Sequence, residues 1–524
     1  MRTSAGRFAL PGFLLTILLH GCGGSPGPEF KIVSGSENQV LEPIVQEFCK
    51  EKRATCTMSY RGSLDIGLML QPGEQPDIDA VWPASSIWID MFDTGRRVTH
   101  LTSISQNPVV LGVLKSKAEA LGWTKRPVAT ADIVKAVDAG DLRFLMTSAT
   151  QSNSGASAYL AMLAAARGKP VLDAADLDDA ATRDEVSRLL HGVERSSGSS
   201  GWLGDLYTDS VDKGVVYDGM WNYEAVLKET NDKLRAKSKE VLFAVYPTDG
   251  ISIADSPLGF VDRKRGKDVE DFFLGLQEYL LSPEVQARIA ATGRRIALGR
   301  AAQAKPEPDW NFDPSRLVTA VQMPEPAVIK KALTIYQEAL RRPSLTALCL
   351  DFSGSMGGKG ESELRQAMTF LFTPEQSAAV LVQWSPKDRV FVIPFSQGVE
   401  AVWSGTGTAA DQATLLSHLD EVRAGGGTDM YACTKEALAR MDPLIKTGDF
   451  LPAIVIMTDG RSDGSPTAFL SGRAADDQKI PIFGITFGDA DRSQLDALAA
   501  ATGARVFDGT KDLAGAFRAA RGYN

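Results

Sequence analysis

Four short apolar runs, at 345–350, 390–394, 453–457 and 480–487, constrain the fold more than any other feature of the chain. Each is rich in branched residues, and stretches with helical spacing separate them. Strands covered by helices on both faces read this way, as continuous runs rather than alternations. The pattern predicts a doubly wound parallel sheet. In such a sheet, ligands bind where loops leave the C-terminal ends of the strands.

Three of those loops carry hard oxygen donors. The first run passes into Asp351-Phe352-Ser353-Gly354-Ser355-Met356. A later helix is preceded by Gly425-Gly426-Gly427-Thr428-Asp429, and the third run ends in Thr458-Asp459-Gly460. Alternation along an extended loop points Asp351, Ser353 and Ser355 the same way, while the glycines let the backbone bend tightly. Hydroxyls and carboxylates suit Mg²⁺, with Mn²⁺ or Ca²⁺ as alternatives, rather than a soft metal. With few charged ligands, the ion stays electrophilic enough to take a carboxylate from a partner.

These segments, in this order, resemble the von Willebrand factor A domain with a metal-ion-dependent adhesion site, over roughly 344–524. The resemblance implies direct coordination of Mg²⁺ by Ser353, Ser355 and Thr428, with Asp351 and Asp459 holding ligands and waters. It also implies an open coordination position for a partner's acidic side chain.

From Phe30 to about residue 300, strands and helices alternate, which predicts a further α/β unit. Small hydroxyl residues recur where strands run into helices, a setting that favours oxyanions. They occur in Ser34-Gly35-Ser36-Glu37, Tyr60-Arg61-Gly62-Ser63, Ala84-Ser85-Ser86 and Ser152-Asn153-Ser154-Gly155. With Val216-Tyr217-Asp218-Gly219, Tyr246-Pro247-Thr248-Asp249-Gly250 and Leu281-Ser282-Pro283-Glu284, these segments resemble bacterial extracellular solute-binding proteins. That resemblance implies two α/β lobes closing on a small solute or oxyanion, with Ser36, Ser63, Ser85 and Ser154 as cleft candidates. Trp82, Trp88, Trp221 and Tyr223 are read as core aromatics that could also line the cleft.

A polar, Pro-rich stretch at 305–314 marks the boundary between the two units, and 327–341 has the spacing of an amphipathic helix. The expected organisation is a leader at 1–21, a tether at 22–29, a two-lobed domain at 30–304, a linker with helix at 305–343 and a final domain at 344–524.

The start of the chain reads as a processing segment. Arg2 and Arg7 precede a short apolar run that ends in Leu19-His20-Gly21-Cys22. The run is shorter than the roughly 20 residues a membrane-spanning helix needs. Its ending resembles a bacterial lipobox, although His20 stands where a small residue is usual. This implies a lipid on Cys22 and an exported chain anchored to the envelope, on the periplasmic or surface side, with the outer membrane preferred. Export favours a disulfide between the neighbouring Cys49 and Cys56. Cys349 and Cys433, in apolar surroundings, read as free buried thiols.

A formal charge of -9 and the lack of a basic stripe argue against nucleic acid as a partner. No P-loop is present, and no histidine lies in a nucleophile motif, so no enzymatic activity is expected. The expected function is that of a membrane-anchored exported binding protein that engages a protein partner through the cation site. The solute-binding-like unit would recognise or sense a ligand. The alternative is the substrate-binding component of a transport system.

Overall fold

A computed structural model describes residues 27–296, 304–473, 479–488 and 491–522. The first sheet is laid down by β1 (Glu29–Gly35), β2 (Thr55–Arg61), β3 (Ala80–Trp82) and β4 (Val98–Ser103). The chain then crosses into a second sheet made by β5 (Asn107–Leu114), β6 (Phe144–Thr147), β7 (Val193–Ser197), β8 (Gly219–Tyr223), β9 (Leu242–Val245) and β10 (Ile253–Ala254). It returns to the first sheet with β11 (Pro257–Val261), inserted between β3 and β4 to give the order β2-β1-β3-β11-β4. Two α/β lobes therefore share one chain that crosses between them more than once.

Buried ion pairs fasten this crossing region. Arg295, just after the last helix of the first lobe, donates to both oxygens of Glu224 in the second lobe, at 2.7 and 2.9 Å. The Tyr246 hydroxyl donates to the same carboxylate. The Glu224 side chain is fully buried, so loss of its cation would leave a charge in a low-dielectric site. Arg295→Met is expected to cost about 3–5 kcal/mol, read as a lowered urea midpoint of the full chain. Glu224→Leu added to it is expected to restore much of the loss.

The segment after the lobes is not a free tether. Trp310 and Phe312 stack at 4.8 Å and join the core of the second lobe. The helix Pro326–Ile335 buries Ile329, Ala332 and Leu333 against that lobe, where the Tyr159 hydroxyl donates to the Ala332 carbonyl.

The last domain contains β12 (Ser344–Asp351), β13 (Arg389–Phe395), β14 (Trp403–Thr406), β15 (Leu451–Thr458), β16 (Ile482–Thr486) and β17 (Val506–Asp508), in the order β14-β13-β12-β15-β16-β17. All pairs are parallel except β13 with β14, an antiparallel edge that the apolar pattern does not predict. Every residue of central β12 is buried. Its alternation sends Leu348 and Leu350 to the face covered by helices Lys359–Phe372 and Leu513–Arg521, and Leu345, Ala347 and Cys349 to the face covered by Met430–Ile445. Helices on both faces make the sheet doubly wound, as the apolar runs predict.

This alternation corrects one expectation. Cys349 and Cys433 are not free thiols but a disulfide, with Cα atoms 6.0 Å apart. The strand presents Cys349 to the helix that carries Cys433, a juxtaposition that a separation of 84 residues hides in the sequence. Cys49 and Cys56 also form a disulfide, tying the first helix to β2.

The last domain is seated on both lobes. The Gln151 amide of the second lobe donates to the Arg518 carbonyl at 2.7 Å, and the Arg518 guanidinium lies 2.5 Å from Asp65 of the first lobe. Arg505 stacks over Trp202, 3.9 Å from the ring centre.

Candidate functional site

Asp351 is the last residue of β12, the central strand, and is fully buried. One of its oxygens accepts from the Ser353 amide at 2.7 Å, and the other accepts from the Thr458 hydroxyl at the end of β15. The second bond joins the ends of the neighbouring strands β12 and β15. Ser353 is buried beside it, and its hydroxyl lies 3.1 Å from that of the exposed Ser355. The Ser355 hydroxyl in turn donates to Asp459 at 2.7 Å.

The glycine-rich loop closes the third side. The Gly354 amide donates to the Gly426 carbonyl at 3.0 Å, and the Gly425 amide to the Phe352 carbonyl at 2.8 Å. Gly426 has φ +78°, a left-handed conformation that a side chain would strain. The Thr428 hydroxyl comes within 3.3 Å of where a Gly460 side chain would begin, and the Ser355 hydroxyl within 3.8 Å of the same point. Asp351, Ser353, Ser355, Thr428 and Asp459 thus converge from three loops at the C-terminal edge of the sheet. Asp429, adjacent in sequence, is committed elsewhere: its carboxylate caps the next helix through the Tyr431 and Ala432 amides.

The donor set fits a hard divalent cation. All five side chains offer oxygen, and the partners of the Asp351 carboxylate are an amide and a hydroxyl rather than a basic group. Burial pushes the Asp351 carboxyl above its ordinary range, and the negative field of Asp459 adds to this. A nearby cation would reverse both effects. Among the described residues no group of three His, Cys, Asp or Glu side chains could hold a metal, since this site uses hydroxyls for three of its five positions. Ser353, Ser355 and Thr428 are the hydroxyls that would hold a divalent cation, which would supply Lewis acidity at the sheet edge.

In the first two lobes, the four predicted serines are all buried, but they meet protein partners. Ser36 contacts the Ser199 hydroxyl across the cleft and accepts from the Gly201 amide at 2.8 Å. Ser63 accepts from the Ala84 amide at 2.9 Å within its own lobe. Ser85 accepts a longer contact from the Ile87 amide. Ser154 sits in the second lobe with Thr147 and Ser200, each at 2.8 Å. Ser36 thereby accepts from a first-turn amide of helix Ser200–Asp212, and Ser85 from the first amide of helix Ile87–Phe92.

The lobes are closed directly on each other. A side chain at Gly62 would start 2.2 Å from the Gln151 carbonyl. Trp88 of the first lobe donates to Asn153 of the second, whose amide donates to the Tyr223 hydroxyl, both at 2.8 Å. Trp82, Trp88, Trp221 and Tyr223 are all buried.

Two features of the cleft escape the sequence reading. Ser199 and Ser200 follow β7 in a Ser/Gly-rich stretch, the same strand–hydroxyl–helix signal that marks the four named serines. Glu37 has no such signal, because its role comes from burial. Desolvation pushes its carboxyl up to about 7, opposed by its own backbone amide and by Arg294, and reinforced by Glu229. Its Oε1 has no hydrogen-bond partner among the described residues. The folded state therefore keeps a proton that the unfolded chain releases near pH 4.5. Stability from this group is complete below about pH 4.5 and is lost as pH rises to about 7, a fall of roughly 3 kcal/mol. Urea midpoints across that window are expected to decline for the wild type, and the decline is expected to be much shallower for Glu37→Gln.

Residues 31–295, half of the 524-residue chain, match the family model for bacterial extracellular solute-binding proteins. The chain belongs to that family. Residues 347–515 match the von Willebrand factor type A domain, so a solute-binding domain and a VWA domain share one polypeptide. No curated protein matches the chain.

Among solved structures, the chain is similar to the sulfate-binding protein SubI from Mycobacterium tuberculosis H37Rv. The identity is 16% over 53% of this chain and 89% of that one, with a TM-score of 0.39. Iron-bound HitA from Pseudomonas aeruginosa is 13% identical over 59% and 98% of the two chains, with a TM-score of 0.42. Among the described residues, no helix is long and apolar enough to cross a membrane.

Proposed function

We propose that this solute-binding family member is an exported, envelope-anchored binding protein that engages a protein partner through Mg²⁺ at its VWA domain. The observation that carries the reading is the convergence of Asp351, Ser353, Ser355, Thr428 and Asp459 at the sheet edge, with Ser355 exposed. An ion reached from solvent on one side and held by neutral hydroxyls suits capture of an acidic side chain. The reading assigns Ser353, Ser355 and Thr428 to the ion, Asp351 and Asp459 to positioning, and no catalytic role to any of them.

The remaining parts of the proposal follow the sequence. Cys22 would carry the lipid after removal of 1–21, with 22–29 as tether; it lies outside the described residues. The two disulfides are consistent with an oxidising compartment. The two-lobed domain, taken as 30–304, would open to admit a small solute or oxyanion beside Ser36, Ser63, Ser85 and Ser154, and so act as a recognition or sensing module. The segment 305–343 would join it to the VWA domain at 344–524.

A pulldown from envelope extract with the full chain, with and without EDTA, tests the reading. A partner retained with Mg²⁺, released by EDTA and not retained by Ser353→Ala supports it. A permease recovered equally in EDTA would instead favour a transport component.

A further inference from the structure

A small, partly enclosed cavity of about 40 Å³ lies at the seam between the second lobe, the joining segment and the VWA domain. It is large enough for a few waters or one small anion. Arg341, Arg342 and Arg521 stand in its wall, together with the hydroxyl residues Ser148, Thr150 and Ser344.

The charges around this cavity do not balance. Asp388 is fully buried and pairs with Arg341 through both oxygens, one at 2.9 Å and the other at 2.5 Å. The Ser344 and Ser385 amides also donate to it, at 2.8 and 2.9 Å. Arg521 reaches the same carboxylate only at 3.3 Å. Its guanidinium is 7% exposed and stacks over Trp384, and its Nε and Nη1 have no hydrogen-bond partner among the described residues. The Ser344 hydroxyl is likewise buried without a hydrogen-bond partner among the described residues. Among the described residues, Arg342 donates to the backbone carbonyls of Val193, Gly448 and Asp449 and to no carboxylate. Burial pushes the Arg521 guanidinium down to about 9, with Asp388 opposing and Arg341 reinforcing the fall. Buried donors of this kind are costly unless something accepts from them.

We infer that the seam cavity binds a small tetrahedral oxyanion of the phosphate or sulfate class, held by Arg521 with Arg341, Arg342 and Ser344. Such an anion accepts from several donors at once and supplies the negative charge the wall lacks. Its contacts come from the joining segment and the VWA domain, in a cavity that Ser148 and Thr150 of the second lobe also line, so its binding strengthens this seam next to the helix that touches both lobes.

Calorimetry and thermal unfolding of the full chain test this, with phosphate or sulfate at low millimolar concentration. EDTA is present, and NaCl holds ionic strength constant. One saturable site per chain is expected for at least one anion, with a matching rise in Tm. Arg521→Gln should weaken it about tenfold or more, the loss of charge-assisted hydrogen bonds. Ser148→Asp places a carboxylate in the cavity and should abolish the response in a protein that remains folded by circular dichroism. Should Arg521→Gln fail to fold, Ser148→Asp alone decides. Absence of a saturable site for both anions, or wild-type binding in the folded variants, would overturn the proposal and leave the cavity to water.

Discussion

Ser353→Ala is expected to weaken Mg²⁺ binding by no less than the ten- to hundredfold that even outer-shell partners carry at metal sites. Titration calorimetry on the full chain reads this directly. The variant suits the purpose because the Ser353 amide, which donates to Asp351, is retained, so the loop keeps its main tie to β12. Asp351→Ala is expected to abolish binding, but it also strips the acceptor from the Ser353 amide and the Thr458 hydroxyl. That second effect destabilises the domain by about 1–3 kcal/mol and needs its own unfolding measurement. Asp429→Ala is the informative contrast. It removes a helix cap worth about 1 kcal/mol and should leave the Mg²⁺ heats unchanged.

Loss of the Cys349–Cys433 disulfide is expected to produce the largest stability change among the chain's covalent links. The bond closes a separation of 84 residues, against 7 for Cys49–Cys56. In the chain-entropy description, these loops correspond to about 4–5 and about 2–2.5 kcal/mol. Replacing both members of a pair with alanine should therefore lower the VWA transition far more for Cys349/Cys433 than the first-lobe transition for Cys49/Cys56. Equal small changes would mean that packing of Cys349 between β12 and Met430–Ile445 carries the stability without the bond.

The contrast between the two disulfides shows what can be read in the chain and what cannot. Cys49 and Cys56 are neighbours in sequence, so proximity is visible. Cys349 and Cys433 meet only because strand alternation turns one toward the helix that carries the other. The four apolar runs are legible because helices cover both faces of β12, β13, β15 and β16. Edge strand β14 is not, since Ser404 is exposed, its other three residues are half-buried, and it carries no continuous apolar signal. The three loops that meet at the sheet edge are legible because glycine and hydroxyl residues cluster at strand ends. The closing of the lobes on Ser36, the burial of Glu37 and the unsatisfied Arg521 are set by tertiary packing, which local pattern does not encode.

The central claim is that Asp351, Ser353, Ser355, Thr428 and Asp459 hold one divalent cation. Anomalous diffraction from crystals grown with Mn²⁺ tests it most directly, because the scattering locates the ion without assuming its ligands. The prediction is a single strong peak within coordination distance of the Ser353, Ser355 and Thr428 hydroxyl oxygens. A well-ordered loop with no peak there, or a peak bound by other side chains, would contradict it.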